Sequence, residues 1–268
     1  MTDLPKTQVR FQQIFWPPVE QIRTILDNRH IRGTMKIEMF IKIQRRKFNG
    51  RYLNTFENSR MLFGFTEKTF SLPDLIAYFQ KVPVVQLKQI HSDTILLSDQ
   101  IKKGTPGDGI ILKKRNCLVM IKTADCVPLT FWENTSQLGG IIHVGWRGLH
   151  QKIESKLLQV LDEIRVHKEN LKFYIGPSIE QKCYPVGSEI YELFNNYSFR
   201  NQVFQRKTRG EFHLDLKNAL TLSLISSGIK YDQIFNSNIC NFCESERFPS
   251  YRRGDRSGKR IYNFLLFR

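Results

Sequence analysis

The sequence predicts a mixed α/β (α+β) domain with many strands. Many short apolar segments rich in Val, Ile and Leu are bounded by turn-forming residues, which is typical of strands. A few longer segments repeat their apolar residues with the helical period. The composition, 41% hydrophobic and 25% charged over 268 residues, is typical of a soluble globular chain with a substantial core.

Residues 1–60 differ from the rest and are interpreted as an N-terminal extension. A short amphipathic helix is predicted over 19–30, and residues 35–46 alternate like a strand. No catalytic pattern occurs in this part. It is either an appended arm or sequence ahead of a true start at Met61, and we expect the catalytic domain to span 61–268.

From Met61 onward, strand candidates alternate with helices. The strand candidates are 61–66, 82–91, 94–99, 109–112, 117–126, 128–133, 139–146 and 171–178. Helices are predicted over 71–79, 147–165, 187–197 and 214–228. We expect Ser71 to cap the first helix, with Asp74 at the capping-box position, and Gly228 to close the last.

The formal charge of +16 allows three interpretations: nucleic-acid binding, anionic substrates or a basic solvated surface. No nucleic-acid-binding motif accompanies the charge, so a nucleic-acid partner is not expected. No apolar run approaches the roughly 18 residues that span a bilayer, and the N-terminus lacks a secretory-signal pattern. We therefore expect a cytoplasmic protein without a membrane partner. Both a monomer and a homodimer are compatible with the sequence.

Three potential metal ligands lie at predicted strand ends, next to small or turn-forming residues. They are His91, Cys126 and His143. Their separations are too long for a zinc-finger loop, but they suit ligands that neighbouring strands bring together. Two imidazoles and a thiolate leave the fourth position of a zinc ion open, as in catalytic sites. Ordinary core packing is the alternative for each residue taken alone.

The five cysteines do not form a disulfide framework, because one is necessarily unpaired. Cys240 and Cys243 form a C-x-x-C pair, which indicates a metal knuckle, a redox dithiol or ordinary packing. A structural zinc site would require a second pair, which the sequence lacks, so packing is the favoured interpretation.

A basic segment near the C-terminus is either a solvated tail or an anion site. It contains Tyr251, Arg252, Arg253, Lys259 and Arg260. Arginine binds phosphate in a bidentate manner. Arg147 favours the anion site, because it lies at the start of a predicted helix, where free N–H groups attract anions.

These motifs resemble those of the bacterial laccase-domain family. "QIHSD", "GDGIIL", "TADCVPL", "IIHVGWRG", "YIGPSI", "CYPVG", "HLDL" and "FPSYRRGDRSGK" occur in the family's order, from about Met61 to Arg268. The family is variously labelled multicopper polyphenol oxidase, purine nucleoside phosphorylase and peptidoglycan editing factor. The Thr-Ala-Asp-Cys and His-x-Gly-Trp-Arg-Gly blocks are the most specific part of the resemblance, which does not cover residues 1–60.

The resemblance implies a single domain of mixed β-sheets flanked by helices, the laccase-domain or cysteine-hydrolase-like fold. It implies a metal bound by His91, Cys126 and His143, with Zn²⁺ as the first expectation and Cu²⁺ as an alternative. The implied activity is phosphorolysis of adenosine, inosine and methylthioadenosine, together with adenosine deamination. Purine nucleosides and phosphate are thus the expected partners.

Three departures from the family pattern concern the substrate side. Pro185 stands where the family usually has a glutamate, and Lys259 stands where it usually has an arginine. The stretch ahead of "QIHSD" is also shorter than usual and lacks an Asn/Arg-bearing segment. The three metal ligands are all present.

We expect Asp125, Arg147 and Arg252 to be the catalytic residues. Asp125 is either an acid–base group or a residue that orients a ligand. Arg147 and Arg252 are expected to hold phosphate, with Arg253 and Tyr251 as further substrate contacts. The alternatives are a copper-dependent polyphenol oxidase and a cysteine hydrolase acting on a peptidoglycan precursor through Cys126, with His143 as its base. A non-enzymatic nucleic-acid-binding role is the remaining one.

Overall fold

The computed structural model describes residues 41–80, 82–133, 135–255 and 258–268. The helix predicted over 19–30 and the first half of the strand predicted over 35–46, residues 35–40, lie outside these ranges. Within them, no helix is long and apolar enough to cross a membrane.

The described residues form fifteen strands and six α-helices. The strands are β1 (Gln44–Phe48), β2 (Arg51–Glu57), β3 (Met61–Thr66), β4 (Val84–Gln86), β5 (Ile95–Leu97), β6 (Gly109–Leu112), β7 (Leu118–Thr123), β8 (Val127–Glu133), β9 (Gly139–Val144), β10 (Leu171–Ile175), β11 (Pro185–Gly187), β12 (Phe204–Thr208), β13 (Glu211–Leu214), β14 (Ile234–Asn236) and β15 (Ile261–Phe267). The helices are α1 (Leu72–Tyr78), α2 (Trp146–His150), α3 (Ile153–Glu163), α4 (Ser188–Leu193), α5 (Arg200–Val203) and α6 (Leu216–Ser226).

Two six-stranded mixed sheets form the body of the fold, and the predicted mixed α/β class is confirmed. The first has the order β1-β2-β3-β15-β7-β4, and the second has the order β14-β10-β8-β9-β6-β5. Pairing is antiparallel in the middle of both sheets and parallel at the β4–β7, β5–β6 and β10–β14 edges. A third sheet, β11-β13-β12, is smaller.

The sheets stack between helices because their strands bury both faces. In β7, Leu118 and Met120 pack toward α1, whereas Val119 and Ile121 face the second sheet. The far side of the second sheet packs against α3 and α6, where Leu157 and its neighbours lie. Each fully buried aliphatic side chain contributes roughly 1.5–3 kcal/mol to folding. The single predicted domain therefore consists of layers in the order helix, sheet, sheet, helices.

The predicted helix ends are confirmed at α1 and α6. Ser71 caps α1 with a complete capping box to Asp74. The side chain of Asp215 accepts a hydrogen bond from the Asn218 N–H at the start of α6, and Gly228 follows that helix with φ +94°.

The single helix predicted over 147–165 is wrong, because the chain breaks it into α2 and α3. Lys152 adopts φ +60° between the two, which ends the first helix after barely one turn. The predicted strand over 82–91 is also too long, since only β4 pairs. His91 therefore lies in a loop, with φ +60°.

Residues 41–60 belong to the first sheet. The boundary expected at residue 61 falls between β2 and β3, which pair in antiparallel fashion over five residue pairs. Leu53 is fully buried, and Arg45 binds Glu67 through two hydrogen bonds. We therefore propose that the folded domain begins before residue 61.

Candidate metal centre

Three separate segments of the chain bring His91, Cys126 and His143 together where β8 begins and β9 ends. His143 is in β9, Cys126 ends the turn that leads into β8, and His91 is in the loop after β4. One potential ligand atom from each lies within 4.8 Å of the other two. The two imidazole rings are 4.7 Å apart, edge to face. The arrangement matches a three-ligand metal site.

Asp108 orients His143. The register of β6 and β9 places Asp108, just ahead of β6, opposite His143, whose backbone N–H donates to the Asp108 carbonyl. The side chains also meet, with 2.7 Å between His143 Nδ1 and Asp108 Oδ1. Because Nδ1 is engaged, Nε2 is the ring nitrogen available to a metal.

The same carboxylate holds the His91 loop. Asp108 accepts hydrogen bonds from the backbone N–H groups of Ile90, His91 and Ser92 at 3.2, 3.1 and 2.7 Å, and from Ser92 Oγ at 2.8 Å. One fully buried side chain thus positions two of the three potential ligands. Asp108 was not identified from the sequence as a functional residue. The only feature that could have pointed to it is its position between two glycines, directly ahead of an apolar strand.

Gly145 allows the backbone to approach the potential ligands closely. A Cβ at this position would lie 3.0 Å from His91 Nδ1 and 3.1 Å from Cys126 Sγ. Both distances are shorter than ordinary van der Waals contacts, so a larger residue would push into the site. Only a side-chain hydrogen is compatible with the observed arrangement.

The buried thiol and imidazole favour each other's charged forms. Burial opposes ionisation of Cys126, but the charges and hydrogen bonds of His143 and His91 outweigh it and lower its pKa to about 6. Burial likewise disfavours the imidazolium of His143, but Cys126 and Asp108 raise its pKa to about 9. Burial disfavours the Asp108 carboxylate, but hydrogen bonds from His143 and Ser92 lower its pKa to about 2. A metal ion would replace the proton that His143 holds beside the thiolate.

Asp125 connects the Cys126 turn to the segment around Arg252. It adopts φ +89° and is buried. Its Oδ1 accepts hydrogen bonds from Asn241 Nδ2 at 2.9 Å and Ser250 Oγ at 2.6 Å, and its Oδ2 accepts one from the Arg252 N–H at 2.7 Å. Both carboxylate oxygens are therefore occupied by protein donors, which favours an orienting role over an acid–base role.

An open cleft of about 730 Å³ begins at Trp146, one residue after Gly145, and the three potential ligands do not line it. Trp146, which follows Gly145, lines it, as do Arg147 and Arg252. The Arg147 guanidinium stacks 4.3 Å from the Trp146 ring, and Arg252 Nη1 donates to the Pro185 carbonyl at 2.8 Å. The structure thus brings Arg147 and Arg252 to the same cleft. The carboxylates of Glu189 and Glu211 also line this cleft.

Two other predicted substrate contacts lie elsewhere. Arg253 donates to the carbonyls of Asn241, Phe242 and Phe248, so its guanidinium holds backbone and is not presented to a phosphate. Tyr251 is 62% exposed and does not line the cleft. The sequence motif could not separate these residues from Arg252, because adjacent positions in a turn point in different directions.

The layered mixed fold and the His-Cys-His cluster define a class of α/β proteins with a candidate three-ligand metal site. Residues 74–267 match the family described as multi-copper polyphenol oxidoreductase laccase, and the chain belongs to that family.

Named relatives include two purine nucleoside enzymes. A purine nucleoside phosphorylase of Clostridium acetobutylicum is 29% identical over 232 residues, which cover 85% of this chain and 95% of the relative. An adenosine deaminase from an unknown prokaryotic organism is 28% identical over 57% of this chain and 59% of its own length. The crystal structure of a Bacillus licheniformis hypothetical protein, YfiH, shares the fold, with a TM-score of 0.74 at 24% identity over 81% of this chain and 96% of that one.

Proposed function

We propose that this protein is a metal-dependent purine nucleoside phosphorylase that also deaminates adenosine. The observation that carries the proposal is the convergence of His91, Cys126 and His143 next to Gly145, which directly precedes the cleft residues Trp146 and Arg147. The names of the relatives supply the substrate class. Adenosine, inosine and methylthioadenosine are the proposed substrates, and phosphate is the proposed co-substrate.

The three ligands fit Zn²⁺ in their chemistry. Two imidazole nitrogens and one thiolate are typical zinc donors, and three protein ligands leave a position for substrate or water. When bound, the ion supplies Lewis acidity for activating water or polarising a substrate oxygen. Asp108 fixes the His143 tautomer. Cu²⁺ would bind the same donors more tightly, so the ion in the cell depends on metal supply.

The cleft residues would bind and orient the substrates. Its volume lies in the range of small-molecule sites. Arg147 and Arg252 hold phosphate near C1′ of the ribose. In phosphorolysis, an oxygen of hydrogen phosphate bonds to C1′ as the glycosidic C–N bond breaks, and the departing purine takes up the proton that the phosphate loses. Asp125 acts as a positioning residue, because it holds both the Cys126 turn and the Arg252 backbone.

Product analysis of adenosine tests the proposal. The protein, assayed for bound metals, is incubated with adenosine in the presence and absence of phosphate, and the products are separated by chromatography. Adenine with ribose 1-phosphate, formed only with phosphate, supports phosphorolysis, and inosine supports deamination. Absence of both, or full turnover by Cys126→Ala, contradicts the proposal. Cys117→Ala is the matched control, since Cys117 is a free cysteine that is not among the three potential ligands.

A cysteine hydrolase is the second candidate, because the structure also shows a Cys-His-Asp arrangement. Cys126 Sγ lies within 4.8 Å of a His143 ring nitrogen, and His143 in turn contacts Asp108. This order resembles a nucleophile, a base and a residue that orients the base. Chelation separates the two candidates: a thiol hydrolase retains its activity without metal, whereas the proposed nucleoside enzyme loses it. Phenol turnover with bound copper would instead favour the oxidase that the family description names.

A further inference from the structure

A second group of sulfur ligands lies outside the centre described above. Cys183, Cys240 and Cys243 each offer an Sγ within 4.8 Å of the other two. The Cys183 and Cys243 sulfurs are 3.4 Å apart, although 60 residues separate them in the chain. All three are free cysteines. The C-x-x-C pair thus has the third ligand that the sequence motif lacked.

Backbone hydrogen bonds position both ligand segments. Cys240 pairs with Ser178 through an isolated backbone β-bridge. The Cys240 carbonyl also accepts a hydrogen bond from the Glu244 N–H at 3.0 Å, which closes a tight turn around Cys243. Cys183 ends the short 3₁₀ turn Gln181–Cys183, where its N–H donates to the Glu180 carbonyl at 2.9 Å. The sulfurs therefore converge from two backbone segments with defined conformations.

The sulfur geometry suits a tetrahedral thiophilic ion. Zinc–sulfur bonds of about 2.3 Å in a tetrahedron place the sulfurs about 3.8 Å apart. The observed separations, from 3.4 Å to at most 4.8 Å, bracket this value. A divalent cation would stabilise all three thiolates and release their protons.

We propose that Cys183, Cys240 and Cys243 bind a second metal ion, Zn²⁺, with a solvent molecule as the fourth ligand. Cys243 is exposed, so solvent reaches the open position, whereas Cys240 is buried and ties the site to the fold. A Cys183–Cys243 disulfide would use only two of the three sulfurs and leave Cys240 unpaired. Convergence of all three favours the metal.

The second ion would join two segments that border the first site. Next to Cys183, Tyr184 lies under the Arg252 guanidinium at 4.8 Å. Asn241, inside the C-x-x-C turn, donates to Asp125 Oδ1. An ion that joins these two segments would hold the side of the cleft on which Arg252 lies. The second ion would therefore stabilise these two segments, and its binding does not depend on the proposed reaction.

Metal analysis of variants tests the second site. Wild-type protein, purified under reducing conditions without chelator, is expected to contain about two zinc equivalents per chain. Cys183→Ser and Cys243→Ser are each expected to retain about one, Cys126→Ser about one, and Cys117→Ser both. Retention of two equivalents by Cys183→Ser or Cys243→Ser would overturn the proposal. The proposal would also be overturned if the wild-type protein held at most one zinc equivalent and Cys126→Ser held none.

Cobalt substitution provides a second measurement that does not depend on the stability of the Cys183 or Cys243 variants. In Cys126→Ser, the first site has no thiolate, so any thiolate-to-cobalt charge-transfer band must come from the second cluster. The expected result is an intense band that saturates at about one equivalent of Co²⁺. Absence of the band, or a Cys183–Cys243 disulfide in non-reducing peptide mapping, would overturn the proposal. A wild-type protein without nucleoside turnover, together with the band in Cys126→Ser, would contradict only the proposed function.

Discussion

Asp108 and His143 are joined twice, once through the backbone and once through the side chains at 2.7 Å. Because the same carboxylate accepts three backbone N–H groups of the His91 loop, Asp108 controls both imidazoles of the candidate centre. This relationship makes Asp108 the residue outside the ligand set on which metal binding should depend most.

Replacing Asp108 with asparagine should weaken metal binding about 10–100-fold, because the amide cannot accept at two oxygens and stabilises the imidazole less. Competition with a chromophoric chelator measures the affinity. Asp99→Asn, at an exposed position, is the control. An unchanged affinity in a folded Asp108→Asn protein would show that the carboxylate does not act on the ligands.

Gly145→Ala tests whether the close approach of the backbone matters. The added methyl group would meet His91 Nδ1 at 3.0 Å and Cys126 Sγ at 3.1 Å, so the potential ligands must move apart. We expect roughly tenfold weaker metal binding, with a circular dichroism spectrum like that of the wild type. In Gly148→Ala, the new Cβ would lie 3.3 Å from the Ser92 carbonyl oxygen and 3.9 Å from the His143 carbonyl oxygen, and no ligand side chain is among its nearest neighbours. Metal binding should therefore persist. Equal effects of the two changes would contradict this interpretation.

The potential ligands could be predicted from sequence, because each stands beside a turn next to a buried strand and each belongs to a specific family block. Asp108 could not, since its role depends on the register of β6 against β9. The prediction of one long helix was wrong at Lys152, because the backbone there is left-handed although the apolar pattern of the sequence continues through this position. Cys183 was not recognised as a partner of Cys243 because 60 residues separate them.

Arg147 and Arg252 should matter for phosphate but not for deamination, which uses none. Arg147→Ala and Arg252→Ala are expected to raise the KM for phosphate roughly tenfold, the effect of losing one charged hydrogen bond. The rate of inosine formation from adenosine should change little. Arg206→Ala is the control, because this arginine also stacks on an aromatic ring but does not line the cleft. Equal losses in both reactions would indicate a structural role.

Glu67 should make stability depend on pH. Burial opposes its ionisation, but the hydrogen bond and charge of Arg45 and the charge of Arg247 outweigh burial and lower the pKa of Glu67 below its ordinary value of 4.5. Its contribution is therefore present above that value and is lost as the pH falls through the lower, folded-state pKa.

Glu67→Gln should lower the free energy of unfolding by roughly 2 kcal/mol at pH 7, and the difference from wild type should shrink as the medium is acidified below 4.5. Urea unfolding at several pH values measures this. Glu246→Gln, whose side chain is 94% exposed, should unfold like the wild type throughout. A difference that does not vary with pH would exclude the ion pairs as its source.

Removing residues 1–60 should destabilise the domain far more than removing residues 1–40. The longer deletion removes β1 and β2, exposes the edge of β3, and takes away Arg45 and the fully buried Leu53. Loss of Leu53 alone is a change of the kind that costs about 2–5 kcal/mol, so a fall in Tm of at least about 6 °C is expected between the two proteins. The protein that begins at residue 41 is the matched control, because the two proteins differ only in residues 41–60, which contain the β1–β2 hairpin. Equal melting temperatures and equal solubility would instead support a domain that starts at Met61.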